Sequence, residues 1–222
     1  MNQTQWTAVD DYLEHQLIPQ DAVLDAILKH SDAAGLPSIN VAPNQGKMLM
    51  LMAQSIQAQR ILEVGTLGGY STVWLARALP KQGRLITLEI DPHYATVARQ
   101  NFAQSGYQDL IELRLGSALE SLEQLAQEGL PPFDFIFIDA DKENNTRYFE
   151  WALQLVRVGG IIIVDNVVRS GAVIEADSPD SRVQGVRRLM ERIAQEPRVQ
   201  ATAIQTVGSK GYDGFALIHV IA

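Results

Sequence analysis

Two strand-like runs in this chain end in acids. Phe133 to Asn145 reads FDFIFIDADKENN, six mostly apolar residues running into Asp139, Asp141, Lys142 and Glu143, and Ile161 to Asn166 reads IIIVDN, closing on Asp165 and Asn166. Ends of neighbouring parallel strands lie roughly 4.8 Å apart, so side chains there can reach one cation. Asp139, Asp165 and Asn166 would offer it only oxygen, which selects Mg²⁺, Mn²⁺ or Ca²⁺ over zinc or copper. A calcium loop competes on spacing, because Asp139, Asp141, Glu143, Asn145 and Glu150 match acidic and amide positions of that motif. It fails because Asn144 stands where a glycine must make the sharp turn, and a strand rather than a helix precedes the loop. Solvated acids at strand ends are the plainer alternative.

A second constellation is Glu63-Val64-Gly65-Thr66-Leu67-Gly68-Gly69-Tyr70-Ser71, a glycine-rich turn between a strand and a helix. Such a turn lets a ligand approach the backbone, and the helix start presents free N–H groups. Its register, E-x-G-x-x-x-G, is not the G-x-G-x-x-G of a dinucleotide site, and it lacks the G-K-S/T ending of a phosphate loop. Glu89 closes the second strand 20 residues beyond Gly69, where a carboxylate can accept both hydroxyls of a ribose. Glu63, Ser71 and Glu89 together suit a ligand with a ribose, a charged amino-acid end and no phosphate, S-adenosylmethionine rather than NAD. A tight structural turn beside an exposed Glu is the alternative.

A scaffold must bring these residues together. RILEVG, RLITLEID, LIELRLG, FDFIFIDA and GGIIIVDN read as five strands buried on both faces. Helical patterns lie between them, the last from about Thr146 to Val158, so the fold class is α/β with a doubly wound parallel sheet. Val183, Val186, Leu189, Met190 and Ile193 mark a further helix; VQATAIQTV and GFALIHVI follow, joined closely enough for a hairpin and an antiparallel last strand. Ahead of residue 60, Pro19 is expected to open a helix carrying Val23, Leu24, Ile27 and Leu28 and stopping near Gly35. Another begins near Pro43 with Met48, Leu49, Leu51, Met52 and Ile56. These helices are expected to cap the sheet, cover its ligand or form a dimer contact.

The 222 residues suffice for one globular domain, 1–222, with N-terminal helices in 1–58 and the sheet-and-helix core in 59–222. A net charge of -8 without a basic run argues against nucleic acid and against an anionic membrane surface. Cysteine is absent, which excludes a thiolate nucleophile and a disulfide framework. The opening MNQTQWTAVDDYLEH does not read as a signal peptide, and no run approaches the roughly 20 apolar residues of a membrane span. A cytoplasmic protein is expected, with small molecules or a second copy of itself as partners.

In order and spacing, ILEVGTLGGYST, TLEIDP, IDADK and VDN resemble the cation-dependent class I O-methyltransferases, the group of the caffeoyl-CoA and catechol enzymes, over about residues 36 to 221. The resemblance implies a Rossmann-like seven-stranded sheet with a reversed last strand, and a homodimer. It places Glu63, Gly65, Thr66 and Ser71 along the methionine part of S-adenosylmethionine, Glu89 on its ribose, Ala118 on its adenine and Val41 against it from the N-terminal helices. Asp139, Asp165 and Asn166 match the metal ligands, Asp139 also lying near the cofactor, and Lys142 matches the general base. The implied activity is O-methylation of vicinal hydroxyls on a small phenolic compound: a catechol, flavonoid or hydroxycinnamoyl ester. Asp213-Gly214 is followed by Phe215 and Ala216, as in the caffeoyl-CoA branch, yet the loop from Val168 to Arg182 shows neither an aromatic clamp nor a basic cluster suited to coenzyme A. The acceptor therefore stays open. An NAD-dependent oxidoreductase, or a non-catalytic cofactor or Ca²⁺-binding protein on the same sheet, are the competing readings.

Overall fold

A computed structural model describes residues 2–222. Seven strands form one sheet: β1 (Arg60–Val64), β2 (Arg84–Glu89), β3 (Ile111–Leu115), β4 (Phe133–Ile138), β5 (Val156–Asp165), β6 (Val199–Gly208) and β7 (Gly211–Val220), in the order β3-β2-β1-β4-β5-β7-β6. The first five are parallel, and β7 runs antiparallel to both β5 and β6, as the hairpin reading anticipated. Sequence order reverses on either side of β1. Ligands of such sheets bind beyond the carboxyl ends of the strands at that reversal.

Alternation along the strands sorts the core into two layers. Leu62, Val64, Ile136, Ile138, Ile162 and Val164 face one side, packing with α6 (Ala118–Gln127), α7 (Asn145–Leu155) and α8 (Ser181–Ala194). Ile61, Leu85, Phe135, Phe137 and Ile163 face the other, against α2 (Ala22–Ala33), α3 (Pro43–Ser55), α4 (Tyr70–Ala76) and α5 (Pro92–Ser105). Glu63 is on this second side, an acid in an otherwise apolar layer.

Four local readings need correction. An amphipathic stripe is lacking in α1 (Gln3–Leu17), whose helix has no buried residue, and the sequence reading passed over it. Pro19 does not open α2; the helix starts at Ala22, with the Asp21 carboxylate accepting from the N–H groups of Val23 and Leu24. The helix assigned up to Val158 ends at Leu155, because Val156-Arg157-Val158 already belongs to β5. The β6–β7 connection shrinks to the two residues Ser209 and Lys210, since pairing continues to Gly208 and Gly211.

Candidate active site

The ends of β1, β2, β4 and β5 surround a cavity of about 950 Å³. Its wall contains Val41, Gly65, Thr66, Ser71, Glu89, Ala118, Asp139, Lys142 and Asn166, nine of the residues singled out from sequence. Glu63 and Asp165 are not in that wall; both are buried behind it.

Gly65 enters the loop with φ +102, a conformation that suits glycine, and a Cβ there would stand 2.1 Å from the Asp139 carbonyl oxygen. The glycine therefore lets the ends of β1 and β4 lie side by side. Leu67 is also left-handed, φ 51. Its N–H donates to Glu89 Oε2 at 2.8 Å, while Glu89 Oε1 accepts from Ile90 and Asp91 at 2.9 Å. Three backbone donors thus fix the carboxylate that faces the cavity. From α5, the buried Asn101 donates to the Gly68 carbonyl at 2.8 Å and accepts from His30 Nδ1 at 2.7 Å. Neither residue carries a motif that would have marked it.

Glu63 spends both oxygens on neighbours. Ser71 donates to Oε1 at 2.6 Å, Thr87 donates to Oε2 at 2.7 Å, and Thr72 also donates to Oε2. Burial pushes its carboxyl up to about 7 against those three hydrogen bonds. Of this group, Ser71 is the one that reaches the cavity.

At the other end of the cavity Lys142 Nζ donates to Asp139 Oδ1 at 2.9 Å. Lys142 sits in a short 3₁₀ turn, Lys142–Asn144, and its side chain is almost wholly buried. Asp141 and Glu143 make no side-chain cap: Asp141 accepts from Tyr148 Oη and Asn144 Nδ2, and Glu143 accepts from Ser181 Oγ at 2.7 Å. Asp165 Oδ1 accepts from the N–H of Asn166 and Oδ2 from Gln45 Nε2, each at 2.8 Å. Burial, then the charge of Asp139, holds the Asp165 carboxyl well above the usual carboxylate range. Gln45 comes from α3, 120 residues away, a contact no local pattern could reveal.

Two carboxylates at adjacent strand ends, one of them buried without a cationic partner of its own, with an amide beside them, make a donor set of hard oxygens. A divalent cation fits that charge and that chemistry. No cluster of three or more His, Cys, Asp or Glu suited to a metal occurs among the described residues.

The O-methyltransferase family model matches residues 14–219. The chain belongs to the O-methyltransferase family. Within that family it is 50% identical over 220 residues to a catechol O-methyltransferase of Niastella koreensis, covering 99% of this chain and 100% of that one. A catechol O-methyltransferase of Mycobacterium tuberculosis is 51% identical over 212 residues, 96% of this chain and 94% of its own. An O-methyltransferase of Bacillus cereus, solved in complex with SAH, superposes with a TM-score of 0.97 at 56% identity over 99% and 100% of the two chains. No helix among the described residues of this O-methyltransferase is long and apolar enough to cross a membrane.

Proposed function

We propose that this O-methyltransferase is S-adenosylmethionine- and divalent-cation-dependent and acts on vicinal hydroxyls of small phenolic compounds. One observation carries the reading. A single cavity joins the glycine loop and Glu89, suited to a nucleoside with an amino-acid tail, to Asp139, Lys142 and Asn166, suited to a chelating pair of hydroxyls. The relatives' names and the SAH in the Bacillus cereus structure support the same cofactor and acceptor class.

In this reading Glu89 accepts the ribose hydroxyls, Ala118 borders the adenine, Val41 closes the site from the N-terminal side, and Gly65, Thr66 and Ser71 border the methionine portion. Glu63 acts through Ser71. The cofactor supplies an electrophilic methyl on sulfonium sulfur, and a cation held by Asp139, Asp165 and Asn166 would acidify and orient the two hydroxyls. To serve as the base, Lys142 must first release a proton to solvent; the acceptor O–H then breaks, its proton passes to the Lys142 amine, and the oxygen forms the new bond to methyl carbon as the carbon–sulfur bond breaks and its electron pair stays on sulfur. Asp139, 2.9 Å from Nζ, stabilises the ammonium that results. Such a displacement needs oxygen and methyl in line, and imposing that alignment would be the task of the cavity wall.

Chelation tests the cation. With catechol as acceptor, excess EDTA should abolish S-adenosylhomocysteine formation and Mg²⁺ or Mn²⁺ should restore it, while calorimetric titration of the cofactor still saturates. Full turnover in EDTA would remove the metal from the reading.

A further inference from the structure

Two cations at the acceptor side of the cavity have no role in the chemistry above. Arg169 is three residues past Asn166 and lies in the cavity wall with a side chain 21% exposed. Its Nε is buried with no hydrogen-bond partner. The ion pair of Arg169 is a long one: Asp213 Oδ2 stands 4.0 Å from Nη1, while Asp213 Oδ1 accepts the N–H groups of Val168 and Arg169 at 2.9 and 3.0 Å. Arg169 and Ser170 both hold left-handed backbone, φ 57 and 55, a conformation the loop adopts at a cost.

Lys210 reaches the same wall from the two-residue β6–β7 turn. Its Nζ donates to the Ser38 carbonyl at 3.1 Å. Desolvation moves the ammonium below its ordinary value, which an anionic partner would reverse. The other cations of the wall differ. Lys142 is paired with Asp139 and Arg182 with Asp180; Lys29 is exposed, as is Lys210, whose amine differs in its bond to the Ser38 carbonyl.

We infer that Arg169 and Lys210 form an anion subsite that binds a carboxylate carried on the ring or side chain of the methyl acceptor. A guanidinium can take a carboxylate through two parallel N–H donors, and an ammonium at the mouth adds a charge-assisted bond. The preferred acceptor is then an acidic catechol, of the dihydroxybenzoate or dihydroxycinnamate class, with its hydroxyls toward Asp139 and Lys142. This inference rests on the methyltransferase reading proposed above.

The test compares 3,4-dihydroxybenzoate, its neutral 3,4-dihydroxybenzamide and a hydroxycinnamoyl-coenzyme A thioester in wild type, Arg169→Gln and Lys210→Met. The wild type should favour the acid over the amide in kcat/KM by about tenfold or more, the scale of a charge-assisted hydrogen bond. Each variant should collapse that ratio through KM, and calorimetry in the presence of S-adenosylhomocysteine should show weaker binding of the acid. Equal use of acid and amide by the wild type, or equal losses for both in the variants, would overturn the subsite while leaving methyl transfer standing. A preference for the thioester that these variants abolish would assign the cations to phosphate and overturn the carboxylate. Turnover of none of the three would bring down the methyltransferase reading itself.

Discussion

Gln45 Nε2 donates to Asp165 Oδ2 at 2.8 Å, tying helix α3 to the end of strand β5. Asp165 is buried, and its one other donor is the N–H of Asn166. Removing one partner of a buried acceptor costs about 1–3 kcal/mol. Gln45→Leu should therefore lower the thermal midpoint by several degrees, at roughly 2–4 °C per kcal/mol for a chain of this size. An unchanged midpoint in a calorimetric scan would show that solvent replaces the glutamine without cost.

Glu63 makes stability depend on pH. Its carboxyl is raised in the folded protein to about 7 from an ordinary 4.5. The folded state therefore holds a proton that the unfolded state has lost between those values, and the contribution present below pH 4.5 disappears as pH rises through 7. The difference is on the order of 3 kcal/mol. Glu63→Gln cannot ionise, so relative to wild type it should gain about that much between pH 5 and pH 8 in urea unfolding. Parallel profiles for the two proteins would mean that Glu63 is ionised throughout.

Gly185 on α8 sits against the backbone of the Lys142 turn. A Cβ there would lie 2.1 Å from the Lys142 carbonyl oxygen and 2.9 Å from Glu143 Cα. Helix propensity alone favours alanine by about 1 kcal/mol, yet Gly185→Ala must push the turn away from the helix. Turnover should fall about tenfold or more as Lys142 shifts, while S-adenosylhomocysteine, which in the proposed function is held by the β1 and β2 loops, should still bind in a calorimetric titration. Normal turnover would argue that the Lys142 turn adapts without moving its amine.

The parts of the site carried by local pattern were legible in the sequence. Strands β1, β2 and β4 read as continuous apolar runs because both their faces are covered, and their ends locate Gly65, Glu89 and Asp139 directly. Asp165 and Asn166 followed from the same logic on β5. What stayed hidden depends on tertiary approach. Gln45, Asn101 and Lys210 belong to no motif and acquire meaning only through neighbours 120, 33 and 172 positions away. Arg169 lies in a loop without a local basic cluster, and Lys210 reaches the same cavity wall from the last hairpin. Glu63 was expected along the ligand and instead lies beneath Ser71, because a strand residue next to the turn points into the layer rather than out of its end.

The β6–β7 turn is anchored to α1: Gln3 Nε2 donates to the Gly208 carbonyl at 2.9 Å, and the N–H of Ser209 donates to Asp10 Oδ2 at 2.6 Å. These contacts close loops of 205 and 199 residues, whereas the bond from Thr87 to Glu63 under the glycine loop closes 24. Closing a longer loop costs more entropy and slows pairing. In refolding, the Lys210 side of the cavity should order last, so in the proposed function the polypeptide would acquire its grip on the methyl donor before it could discriminate among acceptors.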